Sequence, residues 1–382
     1  MSKKTDRAYV WGFVSLLFAM PILFFILPVQ AFSDMENRSL QKAPKLTWDN
    51  IWSKTFSEES ESYVTDHFPF RTNWVWTKSV LEQLRLQQEN NGIYKGSDGY
   101  LFEKLSKPNE TEIKEYTAAL TKYAQNHPDA SITFMLAPTS IGLYPERLPW
   151  LADAYPQKEV NGLIGKQVQG SMSFMDGFDF LSAAADGDKP IYYKTDHHWT
   201  TYGAYLAYAA YARQMGWTPV SEDDFNIETV TDSFLGSYHT RSQFSGLKPD
   251  SIQAYKDKSG VQTNMYITDT DKTVPSMYDP GYLAKKDKYS YFLGGVHALM
   301  TLHSELPPDK IDLDKLLVIK DSYAHSFLPF LTQHVQDIHV IDIRYYNGSI
   351  SDYMEENGIK EVLMLFNTTT FVSERNLLKL KY

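Results

Sequence analysis

The sequence predicts an α/β fold: a parallel sheet covered by helices on both faces, preceded by one transmembrane helix. Three observations carry this. The last quarter of the chain alternates short apolar strands with helical patterns, an order that parallel sheets require. A second apolar run, Lys189–Lys194, leads into Thr195-Asp196-His197-His198-Trp199-Thr200-Thr201 and then into a helical pattern from Tyr202. Finally, Lys3, Lys4 and Arg7 precede an almost unbroken apolar run from Ala8 to Val29.

That N-terminal run is long enough, at roughly 33 Å as a helix, to cross a bilayer core. Pro21 is tolerated in a membrane helix. The leading basic residues place the N-terminus inside and the rest of the chain outside. Val29-Gln30-Ala31 resembles a signal-peptidase site, so cleaved secretion is the alternative to the uncleaved anchor. Residues 1–32 are read as tail and anchor, 33–90 as an extracellular helical or linker segment, and 91–382 as the α/β domain. In the linker segment, Pro69 divides Ile51–Gln88 into two helices. Asp66 and His67, at that division, read as a helix-junction packing motif.

Asn91–Phe102 is a hairpin signal around Gly96-Ser97-Asp98-Gly99. These are turn glycines and lack the context of a phosphate cradle. Thr111–Asn126 is an amphipathic helix with Asn109 as its N-cap. Ser131–Ala137 is a buried strand, and Asn161–Ala185 holds a helix and a short strand. Residues 217–275 read as a β-rich insertion in which Phe234–Tyr238 is strand-like. Then follow a strand at Asp314–Lys320, a helix at Ser322–His334, a strand at Asp337–Arg344, a helix at Ser349–Asn357, a strand at Glu361–Phe366 and a helix at Val372–Leu380.

Composition excludes several classes. A net charge of −10 and the lack of a basic stripe argue against nucleic-acid binding. With no cysteine there is no disulfide framework, thiol chemistry or cysteine metal site. His297, His303, His325, His334 and His339 show no ligand spacing and read as structural or surface residues.

Two stretches carry candidate chemistry. Asp196-His197-His198-Trp199 gathers acid and imidazole at a strand end, a place for chemistry or for a capped, self-satisfied core. Either His197 or His198 could act as a base. The metal reading is set aside: adjacent strand residues point to opposite faces, and no His-Glu-X-X-His is present. In Lys320-Asp321-Ser322-Tyr323, Ser322 follows an apolar strand and opens a helix. That position suits an exposed nucleophile beside backbone donors, and equally an ordinary cap. Ser326 is the competing hydroxyl.

These two motifs resemble the DHHW family, which is similar to the alginate O-acetyltransferase proteins. Further matching pieces are Glu36-Asn37-Arg38, Asp66–Arg71, the hairpin, and Asp342–Gly348. The resemblance implies an SGNH-hydrolase-like domain with a permuted catalytic order. It implies Ser322 as nucleophile, His198 as base and Asp196 as its orienter, leaving His197 as a supporting residue. Asn367 becomes the oxyanion candidate, with a strand-end turn residue as its alternative. Lys320 stands where such enzymes carry glycine, and the second-block glycine has no match. Arg344 and Tyr345 are expected to replace part of its function. No cofactor or metal is implied. The implied activity is extracellular, membrane-anchored O-acetylation of a cell-surface polysaccharide or related polymer, through an acetyl-serine. The implied partner is a membrane-bound O-acyltransferase that supplies acetyl groups. The alternatives are a carbohydrate acetyl-esterase with the same triad and a non-catalytic glycan-binding or scaffold protein of an acetylation complex.

Overall fold

A computed structural model describes residues 3–33 and 38–381. Glu36 and Asn37, part of the quoted resemblance, lie outside the described residues. The chain forms two compact units: residues 1–87 with 243–245, and residues 88–242 with 246–382.

In the first unit, α1 (Lys3–Ile26) contains Pro21. Its stretch Arg7–Ile26 is long and apolar enough to cross a membrane, with a mean hydropathy of 2.1 and nothing buried against the protein. An N-terminal helix of this kind also fits a signal sequence. Helices α2 (Thr55–Asp66) and α3 (Arg71–Leu84) flank the break at Pro69, where Phe70 takes a left-handed φ of 59°. The Asp66–His67 pair is tied to backbone: Asp66 accepts from the Gln41 amide, and the His67 ring meets the carbonyls of Tyr63 and Gln30.

The second unit opens with a small antiparallel sheet, β1 (Glu89–Asn90), β2 (Ile93–Lys95) and β3 (Leu101–Glu103). Its last turn uses Gly99 at φ +80°, a conformation that favours glycine. Helix α4 (Glu110–Asn126) starts where expected, with Asn109 Oδ1 accepting the Thr111 amide at 3.0 Å. It buries Ile113, Tyr116, Leu120 and Tyr123 at the helical spacing.

The main sheet joins β4 (Ser131–Ala137), β5 (Ser173–Asp176), β8 (Thr263–Ile267), β9 (Lys272–Val274), β10 (Leu299–Ser304), β11 (Leu313–Lys320), β12 (Val335–Asp342) and β13 (Glu361–Asn367). Its order is β9-β8-β10-β12-β11-β13-β4-β5. The five strands from β12 to β5 are mutually parallel. The wing β10-β8-β9 adds on antiparallel. Part of the β-rich stretch therefore extends the main sheet, and the remainder pairs β6 (Phe225–Phe234) with β7 (Asp250–Asp257).

The parallel strands read as unbroken apolar runs because both faces are covered. On β11, Leu316 and Val318 enter one core with Ala204, Tyr208, Tyr211 and Phe327. These come from α6 (Thr201–Gln214) and α7 (Ala324–Leu331). Leu317 and Ile319 face the other core, with Tyr116, Ile164 and Met354 from α4, α5 (Gln157–Val168) and α8 (Ile350–Glu356). From β11 the chain passes through α7 to β12 on one side, then through α8 to β13 on the other. The strand order thus reverses at the carboxyl end of β11, the place where open α/β sheets form a crevice.

Four expectations are corrected. Lys189–Lys194 is not a strand: it makes one isolated bridge, Tyr192 to Trp199. Ile191, Tyr192 and Tyr193 are all buried, and the Tyr192 hydroxyl donates to the Pro138 carbonyl, so side-chain anchoring replaces a ladder. Past Phe234 the strand stops and Ser237–Ser242 forms a helical turn. The helix expected at Ser322–His334 spans only Ala324–Leu331, because Asp321 folds the preceding residues into a turn by accepting the Tyr323 amide at 2.8 Å. The final helix is replaced by a turn at Thr368–Phe371 and a 3-10 segment at Arg375–Lys381.

Candidate active site

The two motifs, far apart in sequence, meet at the carboxyl end of β11. The Ser322 hydroxyl lies 2.7 Å from His198 Nε2. His198 Nδ1 lies 2.6 Å from Asp196 Oδ1, which also accepts the His198 amide at 3.0 Å. With Nδ1–H donating to the carboxylate, Nε2 carries the lone pair that faces the hydroxyl.

Cross-ties hold this register. The Trp199 indole donates to the Tyr323 carbonyl at 2.9 Å, and the Tyr323 hydroxyl donates to the His197 carbonyl at 2.6 Å. Both aromatic side chains are fully buried, so each motif loop is fastened to the other within the core. Behind the loop, Asp250 of β7 accepts from the amides of Lys194 and Thr195 and from the Thr195 hydroxyl, at 2.6 to 2.9 Å. The paired strands β6 and β7 thus brace the segment that positions Asp196.

Asp196 itself is completed by the turn after β6. Its Oδ2 accepts the Ser237 amide at 2.7 Å. Gly236 must be glycine here, since a Cβ would fall 2.3 Å from atoms of the Asp196 side chain. Burial by itself would raise the Asp196 carboxyl, but His197 and His198 outweigh it and hold the group well below its usual range. Burial, and then the neighbouring His197, push the His198 imidazole down to about 3, against the pull of Asp196. At neutral pH the ring is therefore held neutral. His197 is raised instead, because Asp196 more than offsets its burial. Its Nδ1 lies 2.7 Å from the Ser237 hydroxyl.

The reason given for setting a metal aside does not hold, since no strand separates these side chains. Asp196, His197 and His198 bring possible ligand atoms within 4.8 Å of one another. Those atoms are engaged with one another, Ser237 and Ser322.

Among the described residues, the Ser322 amide meets no acceptor. Asn367 corrects the oxyanion expectation. Its side-chain amide donates to Asp321 Oδ2 and to the Thr370 hydroxyl, both at 2.8 Å, and its carbonyl caps the Thr370 amide. Both N–H groups are engaged in holding the turn around Asp321.

Lys320 is fully buried, with Nζ 2.9 Å from Asp342 Oδ2 and 2.7 Å from His325 Nε2. Arg344 grips the same Asp342 through Nε and Nη2 at 2.8 and 2.7 Å. Burial opposes its charge, but Asp342 outweighs this and keeps the guanidinium protonated. Tyr345, half exposed, lies beneath it at 5.5 Å. His325 is thus a buried partner of Lys320, not a surface residue. Burial and then the Lys320 charge hold its imidazole neutral. Ser326, the competing hydroxyl, is buried and bound to Tyr289 at 3.1 Å.

Sequence reasoning missed Ser237, Gly236, Asp250 and Tyr289. Gly236, Ser237 and Tyr289 sit in turns with no periodic signal and Asp250 opens β7, and only the tertiary fold brings them to the motifs.

The DHHW protein family matches residues 178–341. No curated protein matches the chain. Among solved structures, a DHHW family protein from Eubacterium siraeum is similar at 24% identity, covering 77% of this chain and 96% of that one, with a TM-score of 0.65. Bacillus cereus PatB1, solved with a sulfonyl adduct, is similar at 17% identity over 76% of this chain and 98% of its own, with a TM-score of 0.64. The O-acetyltransferase domain of Pseudomonas putida AlgJ is a more distant likeness, with 16% identity, coverage of 76% and 98%, and a TM-score of 0.47. The first two share the fold of this chain. The matched span holds Asp196, His198 and Ser322, and over residues 178–341 the chain is similar to the DHHW protein family.

Proposed function

We propose that this chain is a serine-dependent O-acetyltransferase, held at the outer face of a membrane by α1 and acting on a cell-surface polysaccharide or related polymer. The observation that carries the reading is the Ser322–His198–Asp196 chain of hydrogen bonds, 2.7 and 2.6 Å long, at the carboxyl edge of a parallel sheet. Its supports are the family match over the same residues and the implied acetyl chemistry of that family.

In this reading, Ser322 Oγ attacks the carbonyl of an acetyl donor while its proton passes to His198 Nε2. Asp196 stabilises the imidazolium that forms and holds its tautomer. The Ser322 amide faces the developing oxyanion, and the N–H groups of Arg344 not bound to Asp342 are the second candidate donors. As the tetrahedral species collapses, the C–O bond to the donor breaks and the leaving oxygen takes the proton from His198. A sugar hydroxyl then gives its proton to His198 and attacks the acetyl-serine; as the C–Oγ bond breaks, Ser322 Oγ takes that proton back from His198 and the acetylated polymer leaves. The implied donor is a membrane-bound O-acyltransferase partner. Neither a metal nor a cofactor enters these steps. The SGNH-like permuted order belongs to this reading too, since Asp196 and His198 precede Ser322 in the chain.

An esterase differs only in using water as the acceptor. The test supplies full-length protein in detergent with an activated acetyl ester, with and without candidate glycans. The transferase reading expects acetylated glycan from the wild type and a loss of about 10³-fold or more in Ser322→Ala. Acetate with no acetylated glycan favours the esterase. Acetyl release that survives Ser322→Ala contradicts the triad, and glycan binding without turnover favours a scaffold.

A further inference from the structure

Tyr289 lies in a short turn, Lys288–Tyr291, in the irregular stretch between β9 and β10. It belongs to neither motif, yet it touches both. Its ring lies flat on the His198 imidazole, with centroids 3.6 Å apart and planes 12° apart. Its hydroxyl reaches the Ser322 carbonyl at 3.2 Å and the Ser326 hydroxyl at 3.1 Å. The side chain is almost completely buried, so this geometry is packed in place.

The two hydrogen bonds of His198 fix where its nitrogens sit. The soft torsion of a histidine is the one about Cβ–Cγ, and rotation there swings Nε2 out of line with Ser322. A flat aromatic face supplies the missing restraint, and an aromatic face also favours a cation over a neutral ring. The other groups around the imidazole are Asp196, His197, Ser322, Tyr323, Arg344 and His325. Of the ring contacts, His197 is tilted by 39° and Tyr323 by 46°, so among the described residues Tyr289 alone lies flat on the imidazole.

We propose that Tyr289 is a positioning residue, which fixes the plane of the His198 imidazole against Ser322 while its hydroxyl steadies the Ser322 carbonyl. The proposal rests on the triad reading above. It makes the loop before β10 part of the reaction centre.

The test compares Tyr289→Leu and Tyr289→Phe with Ser322→Ala in the full-length protein. Two readouts are taken: hydrolysis or transfer of an activated acetyl ester, and the low-field proton resonance of His198 Nδ1–H in protein labelled at histidine nitrogen. Tyr289→Leu is expected to lose about tenfold in kcat at unchanged KM, with the low-field resonance weakened or lost. Tyr289→Phe keeps the ring and is expected to keep the resonance, with a smaller loss in kcat. The proposal is overturned if Tyr289→Leu keeps resonance and kcat while Ser322→Ala is inactive. It is equally overturned if Tyr289→Phe loses the resonance, since the ring would then not be what holds the imidazole. Should Ser322→Ala itself remain active, the triad reading falls, and the role of Tyr289 with it.

Discussion

His198 has to be neutral to take a proton, and its surroundings arrange this well below ordinary histidine behaviour. Burial, reinforced by His197, holds it down to about 3 even with Asp196 alongside. The sign follows directly. In the proposed reaction the active form is the deprotonated one, so lowering this pKa extends activity toward acid. We expect kcat/KM for an activated acetyl ester to stay level from neutral pH down to about pH 4 and to fall only below it. A profile over pH checks this, and a fall centred near the ordinary histidine value of about 6.5 would contradict it. Residue type and spacing marked Asp196, the two histidines and Ser322 as candidates, the DHHW resemblance chose His198 and Ser322 among the alternatives, and the structure brings Asp196, His198 and Ser322 together. The oxyanion side was not legible, because Asn367 offers the right chemistry at a strand end and only the structure shows its amide committed to Asp321 and Thr370.

At the scale of elements, β11, α7 and β12 carry Ser322, the proposed nucleophile, on a buried ionic brace. Lys320 at the end of β11 is paired with Asp342 at the end of β12, the two lying opposite each other in the parallel register. Burial works against both charges, and for Asp342 the two cations Lys320 and Arg344 outweigh it. Removing one partner leaves a buried carboxylate short of a counter-charge, a change that is costly in general. Lys320→Met is therefore expected to destabilise the protein by about 3 kcal/mol, less than a wholly orphaned charge because Arg344 remains. Denaturant unfolding of the full-length protein measures this, and a loss below about 1 kcal/mol would show that the pair contributes little. Strands β4, β11 and β13 were legible because apolar runs buried on two faces leave a clear signal. The run before Asp196 left the same signal and is not a strand. Burial of Tyr192 and Tyr193 is what the pattern recorded, and their anchoring in a folded loop gives the same pattern as a sheet.

At the scale of the whole molecule, one division of labour accounts for the arrangement. The first unit holds α1, long and apolar enough to cross a membrane, while the second unit holds Asp196, His198 and Ser322. There the sheet supplies Ser322, the loop before α6 supplies Asp196 and His198, and β7 with the turn after β6 fastens that loop in register. The parallel half of the sheet could be read from the alternation of elements. The antiparallel wing could not, because β8, β9 and β10 are recruited from segments whose pairing depends on partners distant in sequence. The central claim is that acetyl passes through Ser322, and acid-quenching the reaction of full-length protein with an activated acetyl ester, followed by peptide mass analysis, tests it most directly. The account predicts an acetyl ester on Ser322, absent in Ser322→Ala and formed at a greatly reduced rate in His198→Ala. Sustained turnover with no acetyl on Ser322, or with acetyl on another residue, would contradict it.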